Sequence, residues 1–132
     1  MMKDADDKEE ANFKFDMTKK GYEIFVVQFM AYEVQRDILM YTIADPGDDL
    51  VEPSVYMLGE QEVLDPNDAT KTTTQKLMKA EKDLYRANSM SFYKMVKSVP
   101  DQLIVMINTV AGRNLNMWKV KSGCNLNLVL MT

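Results

Sequence analysis

The stretch Gly21-Tyr22-Glu23-Ile24-Phe25-Val26-Val27-Gln28-Phe29-Met30-Ala31-Tyr32-Glu33-Val34-Gln35-Arg36-Asp37-Ile38-Leu39-Met40-Tyr41 decides how the rest of the chain is read. Ile24, Val27, Ala31, Val34 and Ile38 recur at helical spacing, and Phe25, Phe29, Met30, Tyr32 and Tyr41 widen that apolar stripe. Glu23, Gln28, Gln35 and Arg36 supply a polar face. The β-branched and aromatic content of Ile24–Phe29 is also compatible with a strand, but a segment near 20 residues long favours an amphipathic helix. With so wide an apolar side, the helix is expected to lie deep in the core. It is expected to span Tyr22–Tyr41, stopped by the turn chemistry of Asp45-Pro46-Gly47.

Working outward, residues 44–69 carry breakers at Pro46, Gly47, Pro53, Gly59 and Pro66. They read as a long loop, with room for a short helical turn, anchored by Val55-Tyr56-Met57-Leu58 and Val63-Leu64. A second long helix is expected from Asp68 or Thr70 to about Lys97. Leu77, Ala80, Leu84, Ser91 and Met95 form one stripe, and Met78, Tyr85, Phe92 and Val96 an adjoining one. Thr72-Thr73-Thr74 is then the capping edge of that helix. Ser98 is expected to cap a third, short helix opening on Val99-Pro100-Asp101-Gln102 and closed by Gly112. A last turn or two follows around Leu115–Val120.

These elements predict an all-α fold: a compact bundle of about four or five helices, with a long loop between the first two long ones. Its core is expected from Phe25, Phe29, Val34, Ile38, Leu84, Phe92, Met95, Leu103, Ile107 and Trp118. Residues 1–12 read as a solvated acidic arm, 13–120 as one helical domain, and 121–132 as an apolar tail. A chain of 132 residues with 46% hydrophobic content can build one core without a metal or disulfide staple.

Composition removes several chemistries. The chain has no histidine and one cysteine, Cys124. It cannot by itself form a disulfide framework, a Cys/His zinc site or a histidine-based catalytic triad. Sixteen basic against twenty acidic residues give a net charge of −4, so nucleic acid is not an expected partner. No membrane span is expected. The acidic start has no apolar signal core, so an intracellular, cytoplasmic place is expected.

Individual clusters add little chemistry. Asp45, Asp48, Asp49 and Glu52 share one segment, but their spacing is not that of a calcium-binding loop. Glu60 and Glu62 are a possible acid–base pair only if a pocket holds them. Lys71, Lys76, Lys79, Lys82 and Arg86 form a basic stripe interrupted by Glu81 and Asp83. No enzymatic role, cofactor or metal is expected. The outlier is methionine, at twelve residues, which suits either an adaptable core or a protein-binding groove.

Read in order, Phe15-Asp16, Gly21-Tyr22-x-x-Phe25, Gln28-x-x-Ala31-Tyr32 and Asp37-Ile38-Leu39-x-Tyr41 resemble the opening of copia-type retrotransposon Gag proteins. Leu84-x3-Asn88-x2-Ser91-x3-Met95-x2-Ser98-Val99 keeps the spacing of that family's next motif. An apolar helix, Leu103 to Val110, then leads to Arg113-Asn114-x-Asn116-x-Trp118, with the tryptophan where the family has one. The resemblance covers residues 13–120 and marks Tyr22, Phe25, Leu84, Ser91, Met95, Ser98, Leu103 and Trp118 as family-motif or core positions. Phe25 stands where the family has a tryptophan, and no zinc knuckle or protease motif is present. The resemblance implies a truncated or co-opted capsid N-terminal domain. Its partners would be itself or a full-length Gag-like protein. The alternative is a small accessory protein that binds a host or regulatory protein through a Met-rich surface.

Overall fold

The computed structural model describes residues 14–123. In chain order these form α1 (Lys19–Gln35), α2 (Pro53–Leu58), β1 (Glu60–Asp65), β2 (Asp68–Lys76), α3 (Lys79–Ser98), α4 (Asp101–Ala111) and α5 (Met117–Gly123). The arm 1–12 and the tail segment from Cys124 onward lie outside the described residues, whereas 121–123 complete α5.

The fold is mixed, which corrects the all-α expectation: among the described residues a two-stranded antiparallel sheet stands with five α-helices. The residues expected to begin the second long helix are strand β2. Four of the five residues Thr70–Thr74 are threonine, whose branched Cβ suits a pleated strand better than a helix. Pro66-Asn67 makes a tight turn between the strands, braced by the Asn67 amide donating to Asp65 Oδ1 at 2.8 Å. In register, Glu60 faces Lys76, Glu62 faces Thr74 and Leu64 faces Thr72. Helix α3 therefore begins only at Lys79. Glu81 folds back to accept the Met78 amide at 3.0 Å, and its other oxygen accepts from Gln61 at 2.9 Å, which ties the hairpin to the helix start.

Helix α1 ends six residues before the expected Tyr41, well ahead of Asp45-Pro46-Gly47. The stop is Asp37, whose φ of 59° is left-handed. Its amide donates to the Val34 carbonyl and that of Ile38 to the Glu33 carbonyl, the paired closure usually built on glycine. At the other end Thr18 Oγ1 accepts from the Gly21 amide at 2.8 Å. Asp16 accepts in turn from the Thr18 amide and hydroxyl.

Ser98 is not a cap. It is the last residue of α3, buried, and its hydroxyl donates to the Lys94 carbonyl. Pro100 precedes the first turn of α4, where its missing N–H costs nothing, and Gly112 closes that helix with φ +72°. Asn116 opens α5 by accepting the Lys119 amide.

The main core joins Phe15, Phe25 and Phe29 to Met95, Val99, Leu103, Ile107, Met117 and Val120. A smaller cluster holds Tyr32, Ile38 and Ala87. Of the remaining positions expected inside, Leu84, Phe92 and Trp118 are half-buried and Val34 faces solvent. The segment between α1 and the hairpin is anchored by buried Leu50 and Val51, while the expected anchors Met57 and Leu58 of α2 and Leu64 of β1 are exposed. The Leu50 carbonyl accepts from Asn114 at 2.7 Å. Tyr56 of α2 stacks on Tyr85 of α3 with ring centroids 4.1 Å apart, and Arg86 donates to its hydroxyl.

Candidate functional site

Helix α1 is apolar on two sides. Phe25, Phe29 and Tyr32 turn inward, and Phe25 is only 2% exposed. Ile24, Val27, Ala31 and Val34 turn outward, with Val27 at 67% and Val34 at 56%. Of the core positions expected on this segment, Phe25, Phe29 and Ile38 are buried, whereas Val34 falls with Ile24, Val27 and Ala31 on the solvent face. The larger aromatic set takes the interior because burying rings removes more apolar area from water.

Away from that outward stripe, α1, the connector after it and the end of α5 enclose an apolar cleft of about 220 Å³. Phe25, Val26, Phe29, Met30, Ile43 and Val120 wall it, and Glu33 and Lys121 are its polar lining. Glu33 is 1% exposed. Its Oε2 accepts from Thr42 Oγ1 at 2.7 Å and Ser91 Oγ at 2.8 Å, and its Oε1 accepts from the Lys121 ammonium. Lys121 also donates to Thr42 Oγ1 at 2.6 Å and lies over the Phe29 ring. Both carboxylate oxygens are therefore committed, and the cluster fastens α1, the following connector, α3 and α5 together. Such a group ties distant segments of the fold together.

Asn88 continues this polar seam. It donates to the Leu84 and Tyr41 carbonyls and accepts the Met117 amide at 3.0 Å, which seats the start of α5 on α3. Among the described residues no buried side-chain nitrogen or oxygen lacks a partner.

The other clusters separate. Asp45 and Asp48 line a polar depression shared with Arg113 and Lys119, and Glu52 pairs with Arg113 at 3.7 Å. Among the described residues no group of acids, cysteine or histidine is placed to hold a metal ion. Glu60 and Glu62 are exposed on one face of β1. The basic stripe divides, with Lys71 and Lys76 on β2 and Lys79, Lys82 and Arg86 on α3. Lys79 is held protonated above its ordinary range by its hydrogen bond and ion pair with Asp83 at 2.7 Å.

The motif positions fall mostly inside the fold. Phe25, Met95, Leu103, Ser91 and Ser98 are buried, Tyr22 packs half-buried against the main core, and Leu84 and Trp118 are half-buried. Cys124 lies outside the described residues. Sequence reasoning missed Glu33, Thr42 and Lys121, whose meeting depends on contacts spanning up to 88 residues. A glutamate at the same helical angle as aromatic core residues was the available signal. Among the described residues no helix is long and apolar enough to cross a membrane. Comparison with protein-family models, with curated proteins and with solved structures finds no match to this chain.

Proposed function

We propose that this chain is a non-enzymatic assembly protein that works by associating with further copies of itself, as its resemblance to a copia-type Gag capsid domain implies. The observation carrying this reading is the outward stripe of α1: a helix already anchored by one apolar face presents a second to water. Monomeric proteins rarely leave a contiguous apolar strip of this kind without a binding role. The committed state of Glu33 supports a binding surface over an acid–base site.

Size-exclusion chromatography with in-line light scattering, over a wide concentration range and at two salt levels, tests the reading. A mass that grows with concentration beyond the 15.2 kDa monomer is expected. A monomer under every condition overturns it. That outcome favours the accessory-protein reading, for which the specific observation is exposure of Met30, Met40, Met57, Met78 and Met90.

A further inference from the structure

We infer that the outward face of α1 takes a second copy of the same helix in antiparallel, two-fold orientation. The inference rests on the self-association proposed above and adds which surface is used and how the copies are oriented.

Three observations point there. The exposed residues Ile24, Val27, Ala31 and Val34 follow one another at steps of three, four and three. That is the spacing of a two-helix seam rather than of scattered surface residues. Ala31, within the stripe, is small enough to let two backbones approach. The stripe is solvent-exposed although the same helix buries Phe25, Phe29 and Tyr32, so nothing described in this chain covers it.

Charge selects the orientation. Lys20 and Glu23 flank the amino-terminal end of the stripe, and exposed Asp37 lies just beyond its carboxy-terminal end. A parallel pair would set Lys20 against Lys20 and Glu23 against Glu23, with the helix dipoles side by side in the same sense. An antiparallel pair sets Lys20 of one copy near Asp37 of the second, twice by symmetry, and opposes the dipoles. In that register Ile24 faces the second copy's Val34, and Val27 faces its Ala31. The contact is self-complementary and closes on two copies.

Disulfide trapping in the full chain tests this, with Cys124→Ser removing the native thiol. Ile24→Cys and Val34→Cys are prepared separately, one with a cleavable size tag, and oxidised alone and mixed. Both positions are exposed, so circular dichroism should match the parent. The mixture is expected to give predominantly the mixed disulfide, and each variant alone little. In an antiparallel pair like positions lie ~15 Å apart along the seam, beyond disulfide reach. Efficient trapping of Ile24→Cys with itself shows a parallel pair and overturns the inference. Growth in mass by light scattering without trapping in any combination places association on another surface. That outcome overturns this inference and leaves the self-association reading standing. A monomer throughout overturns both, and assigns the stripe to a different protein.

Discussion

The Lys121 ammonium in the last described helix donates to the carboxylate of Glu33 in the first, 88 residues earlier. Glu33 is 1% exposed, whereas the Lys121 side chain retains a quarter of its exposure. The two partners are therefore unequal. Removing Lys121 strands a buried charge with two hydroxyls, while removing Glu33 leaves a cation that can turn toward water. Lys121→Met should cost about 3 kcal/mol and Glu33→Gln clearly less, read from urea midpoints at equal slope. Equal losses would mean that the ammonium is as confined as the carboxylate.

Neighbouring residues of α1 should respond in opposite ways. Phe25→Ala opens a hole beside Phe15 and Phe29 in the main core, and should cost about 4 kcal/mol. Val27→Ser, two residues on, should change the stability of dilute protein by less than about 0.5 kcal/mol. Thermal unfolding of the two variants compares them directly. The reverse ranking would place the core on the other face of the helix.

Gly21 is held to glycine by its neighbours. A Cβ there would lie 1.8 Å from Asp16 Oδ1 and 2.7 Å from Thr18 Oγ1, so the capping pair would have to open. Gly21→Ala should destabilise by about 1 kcal/mol despite alanine's better helix propensity. In an Asp16→Ala, Thr18→Ala background the same substitution should stabilise. A double-mutant cycle by urea denaturation measures the reversal.

The same cap carries a pH signature. The Thr18 amide, and then its hydroxyl, hold the Asp16 carboxyl below the usual range. A carboxylate lowered in the folded state adds stability above its unfolded pKa, and that contribution fades as pH falls through the lowered value. The melting-temperature gap between the parent and Asp16→Asn should therefore be constant near neutrality and shrink below about pH 4. A gap that widens on acidification would reverse the assigned sign.

Asp37 occupies a left-handed position that glycine adopts without steric cost. Asp37→Gly should stabilise the dilute protein by about 0.5 kcal/mol, provided that the paired closure onto Glu33 and Val34 persists. A loss would show that the aspartate side chain itself supports the helix end.

Much of the architecture is legible along the chain. Pro100 and Gly112 bracket α4 as their chemistry requires, and the helical character of the segment around Phe25–Val34 follows from its period. The hairpin was less visible, because leucine and alanine after Thr74 carry a helical pattern back across it. The four threonines and the Pro66-Asn67 turn outweigh that pattern locally. The end of α1 was hidden for a different reason: an aspartate performs the left-handed turn that glycine would have advertised.

By itself the sequence determined the helical periods, the paired breakers around α4 and the exclusion of histidine and paired-cysteine chemistry. Only the tertiary structure decided which side of α1 is inside. Two apolar stripes share that helix, and a period assigns residues to angles without saying which angle meets Met95 and Ile107. The Glu33–Lys121 cluster belongs to the same level, because a carboxylate can be buried only where distant segments bring it donors, here Thr42, Ser91 and Lys121. The stripe left outside follows from the same competition: the aromatic face claimed the core, and the aliphatic one remained for water or for another surface.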